Sequence, residues 1–411
     1  MNRALQILKE RGFIQQCTDL EGLSRLMDQG PVTFYVGCDP TGPSLHIGHM
    51  VPFFALRHLH EAGHIAIALI GGGTARIGDP SGKTEMRKML TYEQIDANSA
   101  SITRQLDAFI GFDGKTAFTA NNKDWLAQLN YIDFLRDIGV HFSVNRMLSF
   151  EAYRARLETG LTFIEFNYQL LQSYDFLQLY DRYGCRLQIG GDDQWGNIVA
   201  GIELIRRMRG VETYGLTFPL VTTSDGKKMG KTEKGALFLD PSLTTPYEFF
   251  QYWRNVTDAD VRRFLLMFTF LPVSECEALG SAKDRDINVA KERLAWEVTA
   301  LIHGKEEADK ALEAARALFG KGGASADAKA VPTYTTQAER FNQGILAIDL
   351  LVESGLCPSK SEARRLIQQG GAFINEQKVE DLETRIFSDA LDKGILLLRA
   401  GKKRYVRIRV E

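Results

Sequence analysis

Two histidines three residues apart are the first side chains whose types and spacing could do chemistry. They stand in His46-Ile47-Gly48-His49, after the proline-containing turn CDPTGPSL. We expect a helix to begin near residue 45 with Ser44 as its cap, which places both imidazoles on one face of its first turn. The N–H groups and the dipole of such a turn favour an anion, and Gly48 lets it approach closely. The segment therefore predicts a phosphate site, although a single histidine there would more often be a surface or core residue.

A lysine-rich segment about 180 residues further along could supply positive charge to the same phosphates. Residues 223–235 read TSDGKKMGKTEKG and contain the lysines Lys227, Lys228, Lys231 and Lys234. Composition alone favours a solvated charged loop. The functional alternative is a loop that closes over a polyphosphate and adds charge as the transition state forms. Both interpretations stay open on this segment alone.

Polar side chains in FNYQLLQSYDF, residues 166–176, form a stripe on a predicted helix. Tyr168, Gln172 and Asp175 are spaced i, i+4 and i+7, so they lie on one face. Further polar residues lie beside that stripe, so the solvated face of an amphipathic helix is an equal alternative. Those neighbouring residues are Glu165, Gln169 and Ser173.

Short apolar runs that alternate with helical patterns must position these side chains. The runs are residues 32–37, 65–70, 187–190 and 218–222, each followed by a turn. Strands that alternate with helices predict a parallel sheet, and ligands bind at the carboxyl ends of such strands. Tyr35 lies in the first run, where a phenol more often packs than binds. Helical patterns then continue over 223–319 and predict an all-helical second unit.

The C-terminal part of the chain carries the positive charge. Residues 320–336 are rich in Gly, Ala, Ser and Thr, which is typical of a flexible linker. Residues 341–411 contain 12 Lys/Arg and 10 Asp/Glu, a net charge of +2, which leaves 38 minus 42, or −4, for the rest. Ser359 is expected to cap a helix. A basic helix beside a basic strand suits the backbone of folded RNA. The cations of the predicted helix are Lys360, Arg364 and Arg365.

The composition excludes several classes of protein. Of 411 residues, 44% are hydrophobic and 25% charged, with a net charge of −2, which is typical of a globular protein and not of one that coats nucleic acid by charge. Five scattered cysteines predict neither a disulfide framework nor a zinc site. His58, His60 and His64 are expected on a solvated helix face rather than around a metal. The sequence contains no apolar run of membrane-spanning length and no signal-peptide pattern, so we expect a cytoplasmic location.

The two signatures together resemble those of a known enzyme class. His46-Ile47-Gly48-His49 and Lys228-Met229-Gly230-Lys231-Thr232 are similar to the HIGH and KMSKS signatures of class I aminoacyl-tRNA synthetases. The surrounding sequences YVGCDPTGPSLHIGH, IGDPSGK, FNYQLLQSYDF and GGDDQWGNI resemble the bacterial tyrosyl-tRNA synthetases. The tail sequence LLVESGLCPSKSEARRLIQQGGAFIN resembles an RNA-binding domain shared with a small-subunit ribosomal protein. The chain departs from the family pattern where Gly230 and Thr232 replace serines, and where Asp192 precedes Asp193 in place of a small polar residue.

The resemblance implies a fold class, a domain order and a reaction. The fold would be α/β, with a Rossmann-type parallel-sheet catalytic domain over 1–222, a lysine loop and helical tRNA-contacting domain over 223–319, a linker over 320–340 and a small α+β RNA-binding domain over 341–411. The reaction would join L-tyrosine to ATP, giving tyrosyl-adenylate and pyrophosphate, and then transfer tyrosine to the 3′ end of tRNA(Tyr). The family acts as a homodimer and uses ATP with Mg²⁺ but no tightly bound metal. The alternatives are another HIGH-type adenylyltransferase, such as the tryptophan enzyme, and a non-catalytic RNA-binding relative.

The resemblance also implies roles for individual residues, carried over position by position. Tyrosine would be bound by Tyr35, Asp79, Tyr168, Gln172, Asp175 and Gln194. ATP would be bound by Gly37, Asp39, Thr41, Gly48, Gly191, Asp193 and Lys231. The catalytic set would be His46, His49, Lys83, Arg87, Lys228, Lys231 and Thr232. The tRNA would contact Lys360, Arg364, Arg365, Lys402, Lys403 and Arg404.

Overall fold

The chain divides into two compact units. A computed structural model describes residues 1–81, 89–224, 226, 229–232, 235–283, 286–319, 331–375, 377–392, 394–401 and 404–411. The first unit contains Met1–Thr244 and Val256–Ala290, and the second contains Thr245–Asn255 and Lys291–Glu411. The expected division at 222, 319 and 340 stays a prediction.

Helices are found in both units. In chain order they are α1 (Arg3–Glu10), α2 (Leu20–Asp28), α3 (Met50–Glu61), α4 (Tyr92–Ile110), α5 (Lys123–Leu126), α6 (Tyr131–Asp137), α7 (Val144–Ser149), α8 (Glu151–Thr159), α9 (Phe163–Phe166), α10 (Tyr168–Tyr183), α11 (Trp195–Arg209), α12 (Pro246–Arg254), α13 (Asp258–Phe268), α14 (Val273–Gly280), α15 (Asp286–His303), α16 (Lys305–Phe319), α17 (Ala338–Asn342), α18 (Ala347–Glu353) and α19 (Lys360–Gln368). Helix α10 carries the predicted polar stripe and ends at Gly184, whose φ of +62° suits a residue without a side chain. No helix among the described residues is long and apolar enough to cross a membrane.

A six-stranded sheet forms the centre of the first unit. Its strands are β1 (Gln16–Cys17), β2 (Thr33–Cys38), β3 (Ile65–Ile70), β4 (Ala117–Asn121), β5 (Leu187–Gly191) and β6 (Tyr214–Phe218). Their order is β1-β6-β5-β2-β3-β4, and every neighbouring pair is parallel except β1 with β6. The expected parallel sheet is therefore confirmed. The strand expected at 218–222 is wrong, because the strand ends before Pro219, which has no N–H to donate.

The order of the strands fixes where a ligand can bind. From β2 the chain moves outward to β3 and β4, whereas β5 and β6 lie on the other side of β2. The direction of winding therefore reverses between β2 and β5, and the crevice outside their carboxyl ends is the usual binding site of such sheets. Residues 37–39 and 190–193 lie at these ends.

The region expected to be all helical also contains a small hairpin. Strands β7 (Lys231–Thr232) and β8 (Gly235–Ala236) pair antiparallel, with Lys231 opposite Ala236. Apart from this hairpin, the described part of 223–319 contains no further strands, as expected.

A five-stranded sheet and a two-stranded one lie in the second unit. The strands are β9 (Thr333–Thr336), β10 (Ile345–Leu346), β11 (Ala372–Ile374), β12 (Gln377–Lys378), β13 (Arg385–Ile386), β14 (Ile395–Ala400) and β15 (Arg404–Val410). The larger sheet has the order β12-β11-β14-β15-β9, and β10 pairs with β13. Leu350, Leu396 and Ile408 are fully buried in its core. Strand β9 falls inside the expected linker, where three threonines pair in parallel with β15.

The histidines around residue 60 differ from expectation. The prediction that they lie on a solvated helix face is wrong for His58 and His64, whose side chains are buried at 7% and 5% exposure. The ring of His58 packs against Phe13 and Phe270, and burial, followed by the charges of Arg11 and Arg57, lowers its pKa to about 3. The sequence pattern did not show this because the aromatic partners lie far along the chain.

Candidate active site

A cavity of about 510 Å³ opens at the carboxyl ends of β2 and β5. It brings together most of the side chains expected to bind tyrosine or ATP. Lys83, Arg87 and Lys228 lie outside the described residues, and only the backbone of Lys231 and Thr232 is described, in β7. The predicted residues that line the cavity are Tyr35, Gly37, Asp39, Thr41, His46, Gly48, His49, Asp79, Tyr168, Gln172, Asp175, Gly191, Asp193 and Gln194.

The histidine segment is hydrogen-bonded to the residues that directly follow the lysine segment. The N–H of Ile47 donates to the carbonyl of Leu237 at 3.0 Å, and the N–H of Leu239 donates to the carbonyl of Leu45 at 2.9 Å. Leu237 in turn donates to the carbonyl of Gly230 at 2.8 Å. Backbone hydrogen bonds therefore join two signatures that are far apart in the sequence.

Glycines allow this close approach. A Cβ on Gly230, where φ is +79°, would lie 2.6 Å from Cγ2 of Ile47. A Cβ on Gly48 would lie 3.1 Å from Nδ1 of His46 and 3.4 Å from the carbonyl oxygen of Met229. A side chain at Gly230 would push the two segments apart, and one at Gly48 would press on the ring of His46.

The two imidazoles are oriented by the backbone around them. His46, rather than Ser44, caps the short 3₁₀ turn Ile47–His49 that leads into α3. The Nδ1 atom of His46 accepts the N–H of Gly48 at 3.1 Å, and Nδ1 of His49 accepts the N–H of His46 at 3.2 Å. The rings stack with centroids 3.6 Å apart. A neutral imidazole whose Nδ1 accepts carries its proton on Nε2, so each ring offers an Nε2–H donor.

One end of the cavity holds a buried phenol beside a buried carboxyl. Tyr35 is 1% exposed, and its hydroxyl has no hydrogen-bond partner among the described residues. Asp175 accepts Nε1–H of Trp125 at 2.7 Å and Nδ2–H of Asn122 at 2.9 Å. Burial raises the pKa of Asp175 to about 8, although these two hydrogen bonds lower it. Such a site can exchange hydrogen bonds with a ligand hydroxyl.

A second cluster of polar groups surrounds Asp79. Its Oδ2 accepts Nε2–H of Gln194 at 2.7 Å and its Oδ1 accepts the N–H of Ser81 at 2.9 Å. Asn197 donates to Oε1 of Gln172 at 3.0 Å and to Oε1 of Gln194 at 3.1 Å. Burial raises the pKa of Asp79 to about 6 despite the hydrogen bonds it accepts. A ligand cation placed here would stabilise the charged carboxylate.

Asp39 follows β2 and accepts hydrogen bonds from two hydroxyl groups that line the cavity. It accepts the hydroxyl of Tyr168 at 2.9 Å and the hydroxyl of Thr74 at 2.7 Å. The stripe on α10 is therefore not a solvated face, since Tyr168 and Asp175 are 6% and 2% exposed. On the β5 side, a Cβ on Gly191 would lie 2.5 Å from Oδ1 of Asp193.

Asp192, the unexpected second carboxylate, has a clear structural place. Its Oδ1 accepts both Nε2–H of Gln16 and the hydroxyl of Thr217, each at 2.8 Å. These partners lie on β1 and β6. Asp192 thus ties the turn that carries Asp193 to the edge of the sheet.

Sequence reasoning missed several residues of this site. Asn122, Trp125, Asn197 and Thr74 all hydrogen-bond a predicted side chain. Asn122 directly follows β4, so the rule that ligands bind at carboxyl ends of strands could have found it. No pattern indicated the other three. Among the described residues, no group of three or more His, Cys, Asp and Glu side chains could hold a metal ion.

The residues expected to contact tRNA lie in the second unit. Ser359 caps α19 by accepting the N–H of Glu362 at 3.3 Å, and Arg364 and Arg365 are exposed on that helix. Lys360 is exposed and pairs with Asp349 at 2.7 Å. Arg404 donates to the carbonyl of Leu356 at 3.1 Å. The remaining two, Lys402 and Lys403, lie outside the described residues.

Comparisons with known proteins show which family the chain resembles over its whole length. Residues 27–320 match the family of class I tRNA synthetases for tryptophan and tyrosine, and residues 324–408 match the C-terminal domain of tyrosine–tRNA ligases. The tyrosine–tRNA ligase of Treponema denticola is 63% identical over 409 residues, 99% of each chain. That of Treponema pallidum is 62% identical over 409 residues, 99% of this chain and 98% of the other. The crystal structure of a C-terminally truncated mitochondrial tyrosyl-tRNA synthetase from Aspergillus nidulans has a TM-score of 0.69 at 32% identity, covering 77% of this chain and 94% of that one.

Proposed function

The chain belongs to the tyrosine–tRNA ligase family of class I synthetases, and we propose how its own side chains divide the work of that reaction. The enzyme activates L-tyrosine with ATP to tyrosyl-adenylate and pyrophosphate, and then transfers tyrosine to the 3′ end of tRNA(Tyr). The observation that carries the division of roles is the contact between residues 45–47 and 237–239 beside one cavity.

Tyr35 and Asp175 recognise the phenol of the substrate. Phenylalanine would leave both buried groups without a partner, an exclusion for which tyrosyl-tRNA synthetase is itself the standard example. The same pair disfavours the tryptophan reaction, because an indole offers no hydroxyl at this point. Trp125 and Asn122 hold Asp175 in place.

Asp79, Tyr168, Gln172 and Gln194 bind the substrate ammonium. Asp79 supplies the negative charge, and Gln194 donates to it. Because burial raises the pKa of Asp79 to about 6, the bound ammonium favours ionisation of a carboxyl that titrates close to neutrality. The carboxylate of tyrosine then lies towards the nucleotide half of the cavity.

The chemical step needs no general base, because the substrate carboxylate is itself the nucleophile. A bond forms between its oxygen and the α-phosphorus as the bond to the pyrophosphate oxygen breaks. The Nε2–H donors of His46 and His49 hydrogen-bond the phosphate oxygens as charge develops on them. Lys83, Arg87, Lys228 and Lys231 draw charge towards the leaving pyrophosphate. Thr232 belongs to the same catalytic set. ATP brings Mg²⁺ on its phosphates, since this ion usually binds a few carboxylates together with substrate phosphates.

The nucleoside half of ATP is bound by the ends of β2 and β5. Gly37 lies near the end of β2, and Asp39 and Thr41 follow that strand. Gly48 leaves room beside them. Gly191 ends β5 and Asp193 follows it, where the Asp193 carboxylate is placed to accept from a ribose hydroxyl.

The protein acts as a homodimer in the cytoplasm and binds tRNA through its second unit. Large apolar side chains are exposed along 131–163, a chain segment that a second copy would cover. They include Tyr131 at 56%, Val140 at 71% and Phe163 at 69% exposure. The cations of α19 and of 399–409 contact the tRNA backbone.

Replacement of His49 by alanine tests the division of roles. Loss of one donor to the transition state should slow adenylate formation by about a hundredfold, while the dissociation constant of tyrosine changes little. Rapid-mixing kinetics and equilibrium dialysis measure the two quantities, and His60→Ala, on α3 but absent from the cavity lining, is the matched control. A large loss of tyrosine affinity in His49→Ala would contradict the assignment. Absence of tyrosine-dependent exchange of pyrophosphate into ATP in the parent protein would favour a non-catalytic RNA-binding role.

A further inference from the structure

The start of the lysine loop is held by the first turn of α13. The N–H of Ser224 donates to Oδ2 of Asp260 at 2.9 Å, and the hydroxyl of Ser224 shares a hydrogen bond of 2.7 Å with that of Thr257. Arg263 donates to the carbonyl of Thr222 and to Oδ1 of Asp260. Two consecutive turns of one helix therefore fix the backbone of 222–224, immediately before the lysines begin.

Asp260 is placed to act as a charged anchor. It is 2% exposed, and Oδ2 also accepts the hydroxyl of Thr257 at 2.8 Å. Burial would raise the pKa of Asp260, but the hydrogen bonds from Ser224 and Thr257 and the charge of Arg263 lower it overall. The carboxylate is thus ionised at neutral pH, with Oδ2 accepting from Ser224 and Thr257 and Oδ1 accepting from Arg263.

The other end of α13 is also fixed. Arg11 is 6% exposed and donates to the carbonyls of Leu266 and Thr269, each at 2.8 Å, and to that of Leu271 at 2.5 Å. The carbonyl of Leu266 lies in the last turn of the helix, where no intrahelical donor reaches it, and those of Thr269 and Leu271 lie just beyond the helix end. The helix is held at both ends and provides a rigid support for the loop.

The far end of the loop has its own anchor. Gly230 accepts from Leu237, which accepts from Ile47 of the histidine segment. The lysines between residues 224 and 235 are therefore carried by a chain segment whose two ends are bound to different elements, α13 and the turn before α3. Displacement of the α13 anchor would move the loop relative to the histidines.

We propose that Asp260, assisted by Arg263, is a positioning residue for adenylate formation, which fixes the start of the lysine loop relative to the phosphates. The inference rests on the proposed role of the loop lysines. Asp260 is not among the residues that line the cavity, and it acts through the backbone of 222–224. Its loss should therefore affect the step in which the lysines take part and leave tyrosine binding unchanged.

Asp260→Asn and Arg263→Gln test the anchor, with Arg262→Gln as the control. Arg262 lies on the same helix, in an exposed ion pair with Glu277. Adenylate formation in the two test variants should slow by about ten- to a hundredfold, the cost of displacing a reacting group by about 1 Å. The dissociation constant of tyrosine and the melting temperature of Arg263→Gln should stay near those of the parent. A folded Asp260→Asn or Arg263→Gln protein with the parental rate would overturn the proposal.

A double-mutant cycle separates positioning from a general loss of structure. If Asp260 acts through the loop, Asp260→Asn should cost far less in a Lys231→Ala background than in the parent, because the displaced group is already absent. Additive effects would overturn the inference about Asp260. A parental rate in Lys231→Ala alone would instead refute the proposed role of the loop, so the two failures are distinguishable.

Discussion

Tyr35→Phe is expected to stabilise the free enzyme and weaken its function at the same time. The ring is 1% exposed and packs 5.3 Å from the ring of Phe176. The hydroxyl has no partner among the described residues until a substrate arrives. Phenylalanine keeps the ring in place and removes only the oxygen.

The two opposite effects have similar sizes. A buried hydroxyl without a partner costs about 1–3 kcal/mol, so its removal should raise the free energy of unfolding of the unliganded protein by about 1 kcal/mol. The bound state loses one neutral hydrogen bond to the phenol, about 0.5–1.5 kcal/mol, or about a two- to twelvefold weaker affinity for tyrosine. The preference for tyrosine over phenylalanine should fall by a similar factor, because phenylalanine never made that bond.

Urea unfolding and pyrophosphate exchange with each amino acid measure these effects. Tyr183→Phe is the matched control, since that phenol lies on the same helix as Asp175, is 41% exposed and is absent from the cavity lining. A less stable Tyr35→Phe protein would show that the hydroxyl is satisfied in the free enzyme. Unchanged selectivity would show that it does not meet the substrate phenol.

Three further substitutions address the carboxylates and the loop. The folded-state pKa of Asp175, about 8, lies above its ordinary 3.8, so its protonated form stabilises the fold at low pH and this contribution is lost between about pH 4 and 8. Asp175→Asn should therefore flatten the plot of unfolding free energy against pH over this range. A smaller slope below about pH 6 should remain, because Asp79 also has a raised pKa. Equal slopes in parent and variant would contradict this expectation. Asp192→Ala leaves Gln16 and Thr217 without their acceptor and should lower the free energy of unfolding by about 1–3 kcal/mol. It should also raise KM for ATP more than KM for tyrosine, because Asp192 holds the turn that carries Asp193. Equal changes in the two KM values would show that Asp192 does not position Asp193. Gly230→Ser restores the serine of the ideal signature, yet it should slow adenylate formation. A residue with a side chain pays about 1–2 kcal/mol at a φ of +79°, and the new Cβ would lie 2.6 Å from Cγ2 of Ile47. A parental rate would show that the segment can move to accommodate the side chain.

The sequence predicted those parts of the fold that depend on local patterns. The strand Ile65–Ile70 was expected with its observed bounds, because a continuous apolar run between turns has few alternatives. The prediction of a strand over 218–222 was wrong, because Pro219 has no N–H to donate and the strand ends at Phe218. Strand β9 looked like a linker because its threonines are polar, although their branched side chains suit a sheet edge.

The candidate site could be predicted only where one helix or one turn carries several of its residues. Tyr168, Gln172 and Asp175 share a face of α10, and this periodicity is visible in the sequence. The partners of Asp175 lie about 50 residues away, on a turn and a four-residue helix, where no periodicity exists. Their convergence depends on the strand order, which brings β4 to the sheet edge after β3.

The junction between the two signatures explains why one departure from the ideal motif is compatible with function. Backbone groups make this junction, with Ile47 and Leu239 as donors and Leu237 and Leu45 as acceptors, so almost any side chains could accompany it. The junction does restrict the side-chain volume at Gly48 and Gly230, where the two segments of the chain come within contact distance. A glycine at 230 is therefore favoured by the same geometry that brings the histidines and the lysine segment to one cavity. The serine of the ideal signature would require a different local backbone, since position 230 here has a φ of +79°.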